Sequence, residues 1–277
     1  ADEAIVMPGS GTFGMEAVAR QFATDQRVLI VRNGFFSYRW SQILDTCGIV
    51  PARDVSVLKA RPESDAAQAA WAPPALEDVE AMIARVQPGV VFVPHVETAS
   101  GILLPDDYLK RLASAVHEVG GLFVLDCIAS GAVWVNMRDV GVDVLVSAPQ
   151  KGWSSAPGSA LLGLSSAAVQ RLAETQSSSF AMDLNKWRNV MQAYEGGKHA
   201  YYATMPTTAL LELRDTMFET RERGFESARE HQFRLGRRVR QLLAERGFPS
   251  VAAEGFEAPG VVVSHTTDDG VHNGSKF

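Results

Sequence analysis

At 277 residues and 46% hydrophobic content, the chain can bury a sizeable core in one large or two moderate domains. A net charge of −6, spread without long runs of one sign, argues against nucleic acid, whose phosphates require a basic patch. Two cysteines, Cys47 and Cys127, offer neither a disulfide framework nor metal-ligand spacing, and no apolar run is long enough to cross a membrane, so a cytoplasmic, metal-free protein is expected.

Short apolar runs alternate with amphipathic stretches, the pattern of a mostly parallel sheet covered by helices on both faces. Residues 4–7 predict a first strand that runs into Pro8-Gly9-Ser10-Gly11-Thr12, and residues 16–24 a helix. A strand over 27–32 stops at Asn33-Gly34, with a helix over 37–47 after it. Residues 55–59 read as a strand and 61–74 as a polar loop. The next stretch, 75–85, is helical, with Leu76, Val79 and Ile83 on one face. Strands over 89–94 and 122–126 bracket a helix over 106–119. The β-branched run 140–146 is another strand, and 161–164 one more. From 205 to 248 the chain is a long, charged helical region, and 261–264 reads as a lone late strand. Residues 1–205 are expected to form a large cofactor domain and 206–277 the start of a smaller α+β domain, in a chain that is part of a longer polypeptide.

Three strand ends carry chemistry. The strand at 140–146 leads into Ser147-Ala148-Pro149-Gln150-Lys151-Gly152-Trp153 and so presents a lysine in a Ser/Pro/Gly-rich loop. The strand at 122–126 delivers Asp126, and the first strand delivers the Gly9-Ser10-Gly11-Thr12 turn ahead of a helix. A lysine that forms an imine, an acid that keeps a pyridine nitrogen protonated and a loop that takes a phosphate together suit pyridoxal 5′-phosphate. Each element alone has a plainer reading: a solvated lysine, an acid closing a turn, a helix cap. Gly9, Gly11 and Gly14 also satisfy the Gly-x-Gly-x-x-Gly spacing of dinucleotide-binding loops. However, Arg32-Asn33 stands where that reading needs an acid.

The combination resembles the class V aminotransferases of pyridoxal-phosphate fold type I, most closely the alanine–glyoxylate/serine–pyruvate branch. The turn at Gly9–Thr12 with Glu16-Ala17 resembles that family's phosphate loop, which implies Ser10, Gly11 and Thr12 as cofactor ligands. Asn33-Gly34-Phe35-Phe36-Ser37-Tyr38-Arg39 resembles its Asn-Gly-x-aromatic-Gly-x-Arg segment, making Phe36 the ring that stacks on the pyridine. His95-Val96-Glu97-Thr98-Ala99-Ser100-Gly101 resembles the family's His-x-Glu turn. There Thr98 would bond the cofactor's phenolic oxygen or imine region, while His95 and Glu97 read as a satisfied polar pair. Asp126 matches the acid on the ring nitrogen and Lys151 the Schiff-base lysine. Gln150, which helps hold the phosphate, favours the alanine–glyoxylate branch over the aminoethylphosphonate branch. Tyr201 and Thr204 match a segment that reaches the partner's phosphate, against the alternative of a helix-capping threonine; the functional reading implies a homodimer with shared active sites.

The resemblance implies an α/β fold with a seven-stranded-type, mostly parallel sheet and ping-pong transfer from a small amino acid, of alanine or serine type, to a 2-oxo acid such as glyoxylate or pyruvate. The substrate-carboxylate arginine is expected beyond Phe277, and residues 177–198 at the site entrance. The alternatives are a 2-aminoethylphosphonate–pyruvate-type transaminase, a lyase or desulfurase of the same fold, and a dinucleotide-binding or non-catalytic α/β protein. A desulfurase would need a mobile catalytic cysteine, and neither Cys47, in a predicted helix, nor Cys127, beside Asp126, suits that role.

Overall fold

The computed structural model describes residues 1–266. A seven-stranded sheet runs in the order β1 (Glu3–Pro8), β11 (Ser159–Leu164), β10 (Val144–Ser147), β9 (Leu122–Asp126), β6 (Val90–Pro94), β2 (Val28–Arg32), β3 (Val55–Lys59). The pairings among β10, β9, β6, β2 and β3 are parallel, and β11 runs antiparallel to both its neighbours. The sheet is therefore mixed and mostly parallel, and the carboxyl ends of β1, β2, β6, β9 and β10 lie along one edge. Two short hairpins complete the strand set: β4 (Arg61–Pro62) with β5 (Trp71–Ala72), and β7 (Val96–Glu97) with β8 (Ile102–Leu103).

Strand alternation sends residues to two separate cores. Val28, Ile30, Val90, Phe92 and Val124 pack with α1 (Gly11–Phe22), α2 (Phe35–Thr46), α6 (Ser166–Glu174) and α7 (Leu184–Glu195). In that layer Trp40 stacks on Phe92, with ring centroids 4.1 Å apart. Leu29, Val31, Val91, Val93, Phe123 and Leu125 face the other way, onto α3 (Leu76–Val86), α4 (Asp106–Glu118) and the short α5 (Met137–Val140). Burial on both faces explains why the strands read as continuous apolar runs.

Several elements differ from expectation: the expected loop 61–74 holds the β4–β5 pair, and the strand expected over 140–146 begins at Val144, after α5 ends at Val140. Helix α1 begins at Gly11, five residues before the predicted start at 16, because packing on β10 and β11 extends it through a Gly-rich turn of poor helix propensity. The charged stretch after residue 205 is two helices, α8 (Thr207–Arg223) and α9 (Phe225–Ala244), separated by Gly224. Residues 261–264 form no strand: they lie beside Pro249–Val251, but only Ser264 bridges, to Ser250, with the Val251 N–H on the Val263 carbonyl and the His265 N–H on the Pro249 carbonyl, too few pairs for a ladder. Among the described residues, no helix is long and apolar enough to cross a membrane.

Candidate active site

A cavity of about 230 Å³ opens at the carboxyl edge of the sheet. Ser10, Gly11, Thr12, Phe36, Thr98, Asp126, Gln150 and Lys151 all line it, so eight of the ten residues singled out from sequence converge on one place. Their positions follow from the strand ends: β1 feeds the Ser10 turn, β2 leads to Phe36, β6 to Thr98, β9 ends on Asp126 and β10 leads to Lys151. This is the side of a parallel sheet where α/β proteins place their ligands.

The α1 end of the cavity suits an anion. Ser10 occupies the N-cap position in an extended conformation and makes no side-chain cap bond. The first-turn N–H groups therefore lack the usual side-chain acceptor, at the positive end of the helix dipole. A Cβ on Gly11 would lie 2.4 Å from Cδ1 of Ile128, so a larger residue here would have to displace the Ile128 side chain. Gln150 lines the same cavity, where its amide oxygen, an acceptor, is buried without a partner and so does not itself favour an anion.

Asp126 faces the opposite condition. It is 8% exposed and accepts the Ile128 N–H at 2.9 Å. Burial pushes its carboxyl from 3.8 up to about 6; the Ile128 bond opposes this, the negative charge of Glu97 adds to it, and Arg39 opposes it. A buried carboxylate held by one N–H is suited to receive a cationic ring N–H. An unpaired helix N-terminus for a phosphate, a desolvated acid for a ring nitrogen and a lysine for an imine, all on one cavity, form a set that fits pyridoxal 5′-phosphate. Phe36, 37% exposed, offers a ring with room for a second one, and Lys151 sits on an exposed turn closed by the Ser154 N–H to its carbonyl at 3.0 Å.

Arg39, Met15, Val96, Ile128 and Ala129 also line the cavity and were not singled out. Arg39 donates to Oγ1 of Thr12 at 3.0 Å and lies 5.2 Å from the Phe36 centroid. Its signal was its place in the Asn33–Arg39 segment. The apolar four carry no signal, since their side-chain types are ordinary core residues.

His95 and Glu97 are each satisfied, but with separate partners. Nδ1 of His95 lies 2.7 Å from the Ser130 hydroxyl, and burial pushes the imidazole down to about 4. Glu97 is fully buried and ties α2 to the Thr98 turn: its carboxylate accepts the N–H groups of Phe36 (3.1 Å), Ser37 (2.9 Å) and Ala99 (3.0 Å), and the Ser37 hydroxyl at 2.6 Å. A Cβ on Gly34 would lie 2.7 Å from Cγ of Glu97, which explains the glycine. Glu97→Gln replaces one accepting oxygen with a donor facing N–H groups, and should lower stability by roughly 2–3 kcal/mol. An unchanged urea midpoint would remove Glu97 from this role.

The remaining residues lie elsewhere. Tyr201 is 79% exposed and Thr204 is also exposed, and neither lines the cavity. Thr204 does not cap α8, whose N-cap is Pro206. No residue of 177–198 lines the cavity; α7 instead buries Leu184, Trp187 and Val190 and pairs Arg188 with Glu3 at 2.7 Å, on the β1 side of the sheet. Cys127 is buried, and burial raises its thiol and that of Cys47, so neither is an activated thiolate. No cluster able to hold a metal occurs among the described residues.

Comparison with known proteins gives the chain's family and fold. The profile of the family described as "Aminotransferase class-V" matches residues 2–272. Similar curated proteins include a soluble hydrogenase small subunit from Synechococcus sp., 27% identical over 94% of this chain and 64% of that protein. An alanine–glyoxylate aminotransferase of Oryctolagus cuniculus is 29% identical over 62% of this chain and 44% of its own length. A 2-aminoethylphosphonate–pyruvate transaminase of Pseudomonas aeruginosa is 29% identical over 96% and 67%. Among solved structures, an alanine–glyoxylate aminotransferase from Nostoc sp. superposes with a TM-score of 0.81 at 22% identity, over 96% of this chain and 67% of that one, and so shares the fold. The chain thus spans about two thirds, or less, of the length of these relatives. With its fold and the match across residues 2–272, the chain belongs to the class-V aminotransferase family.

Proposed function

We propose that the cavity binds pyridoxal 5′-phosphate and that the protein transfers an amino group from a small amino acid, of alanine or serine type, to a 2-oxo acid such as glyoxylate or pyruvate. The convergence of eight residues on one cavity, among them a buried Asp126 and Lys151, with an uncapped helix N-terminus, carries this reading. The first-turn N–H groups of α1, with Ser10, Thr12 and Gln150, would hold the phosphate. Asp126 would hold the ring nitrogen, Phe36 one ring face and Thr98 the phenolic oxygen. When bound, the cofactor supplies a carbonyl carbon that takes the amino group and a ring that accepts an electron pair.

The chain's own residues then divide the remaining work. Asp126 keeps a proton on the ring nitrogen, which its burial favours because a lone carboxylate there is costly. Lys151, on an exposed turn, moves a proton between the substrate α-carbon and the cofactor's exocyclic carbon. Phe36 covers one side and keeps water from it. The exposed Tyr201 and Thr204 support a homodimer in which each reaches its partner's phosphate site, with residues from 206 onward beginning a smaller domain. Two free cysteines suit a reducing cytoplasm.

Gln150 favours alanine–glyoxylate chemistry, and the similarity over 96% of the chain to a 2-aminoethylphosphonate–pyruvate transaminase supports the second reading. The two separate in a half-reaction. After pyridoxal phosphate is added to the purified protein, alanine without an acceptor should convert the visible band to the pyridoxamine form and release one equivalent of pyruvate. A band moved by 2-aminoethylphosphonate alone selects the second reading. No band at all refutes both.

A further inference from the structure

A second cleft, of about 400 Å³, opens at the carboxyl ends of β2 and β3 and shares no lining residue with the cofactor cavity. Arg32, Asn33, Lys59, Trp71 and Ser100 form its polar and aromatic wall. Arg32 and Lys59 are register partners in the parallel β2–β3 pair, so two cationic side chains leave the same face of the sheet side by side. Like charges at paired positions repel, yet among the described residues no carboxylate lines the cleft. None of the ion pairs among the described residues involves either one.

The neutral groups carry the same message. Asn33 is 3% exposed, and both its amide oxygen and its amide nitrogen lack a partner. Ser100 is 8% exposed, and its hydroxyl lacks one too. Arg32 gives one guanidinium nitrogen to the Ser41 hydroxyl at 2.6 Å and lies over the Tyr38 ring, leaving its Nε buried and unpaired. Buried polar groups in folded proteins are paired as a rule, so four unpaired atoms from three residues on one cleft mark an unmet demand for a ligand. That demand is mostly for acceptors: the guanidinium, ammonium, amide and hydroxyl groups all donate. Trp71, 39% exposed, adds a flat apolar surface beside them.

We propose that this cleft binds a small organic oxyanion, whose carboxylate or phosphate head is held by Arg32, Lys59, Asn33 and Ser100 while an aromatic or apolar body lies on Trp71. The site is separate from the cofactor cavity but backs onto it. Gly34 and Ser100 line the cleft, Phe36 and Thr98 line the cavity, and Glu97 braces the two segments between them.

Titration of the pyridoxal-phosphate-loaded protein with benzoate, phenyl phosphate and inorganic phosphate, followed by tryptophan fluorescence, tests this. At least one aromatic anion should give a saturable change at constant ionic strength that disappears in Trp71→Phe. Saturation by benzoate alone identifies a carboxylate site, and by phenyl phosphate alone a phosphate site. Lys59→Gln, on the surface, and Arg32→Gln should each weaken binding about tenfold, as expected for loss of a charge-assisted hydrogen bond. The affinities should be the same without cofactor, so a failure of the cofactor assignment would leave this result intact. Absence of saturation with all three probes, or affinities unchanged in both charge variants, overturns the proposal.

Discussion

Lys151→Ala should leave a folded protein that turns over at least about a thousandfold more slowly, the contribution expected of one positioned acid–base group. Lys151 is the lysine that lines the cavity, and it sits on an exposed turn between Pro149 and Ser155. Its truncation removes no core contact, so far-ultraviolet dichroism and the urea midpoint should match the parent within about 0.5 kcal/mol. Added ethylamine should restore part of the activity if the missing function is an amine that carries a proton. Parent-like steady-state turnover in the variant would sink the assignment of Lys151.

Asp126→Asn should act in opposite directions on stability and on function. The folded chain keeps the Asp126 proton until pH about 6, because burial disfavours the charged form, whereas the unfolded chain releases it near 3.8. Between those values the folded state binds more protons, so stability falls as pH rises through the window and then levels off. The shift corresponds to roughly 3 kcal/mol. Asparagine never ionises and can still accept the Ile128 N–H. The cofactor-free variant should therefore match the parent below pH 4 and exceed it by up to roughly 3 kcal/mol above pH 6, as read from urea unfolding at a series of pH values. In the loaded protein the order reverses: losing a charge-assisted bond to the ring nitrogen should weaken cofactor retention about 10- to 100-fold. The half-reaction with alanine should slow by several orders of magnitude. Parallel stability curves for the two proteins would show that Asp126 is not a desolvated acid, and parent-like half-reaction rates would remove it from the site.

Much of this arrangement is legible in the chain because strands buried on both faces have no room for polar residues. Leu122–Asp126 reads as an apolar run closed by an acid, and the structure makes it β9 with those bounds. Ser10, Asp126 and Lys151 could be placed together because strand ends in a parallel sheet share an edge. Contacts made across long separations were not legible. Glu97 reads locally as one of a satisfied polar pair with His95, whereas its partners lie on a helix that starts 62 residues earlier. The start of α1 was missed because Gly11 and Gly14 weaken helix propensity, while packing against β11 overrides it; a Cβ on Gly14 would lie 3.0 Å from that of Ala160. Residues 261–264 have the β-branched composition of a strand but only one bridging partner, Ser250. Arg32, Asn33 and Lys59 gave no signal of a second cleft, since only the β2–β3 register brings the two cations side by side.

Borohydride reduction of the pyridoxal-phosphate-loaded protein, followed by peptide mass mapping, tests the central claim most directly. Reduction fixes any linkage between the cofactor and a lysine as a stable secondary amine. The pyridoxyl phosphate adduct should appear at one equivalent on the peptide that contains Lys151, and vanish in Lys151→Ala. An adduct on Lys59, Lys186 or another surface lysine, or none above the background of free pyridoxal phosphate, would contradict the account.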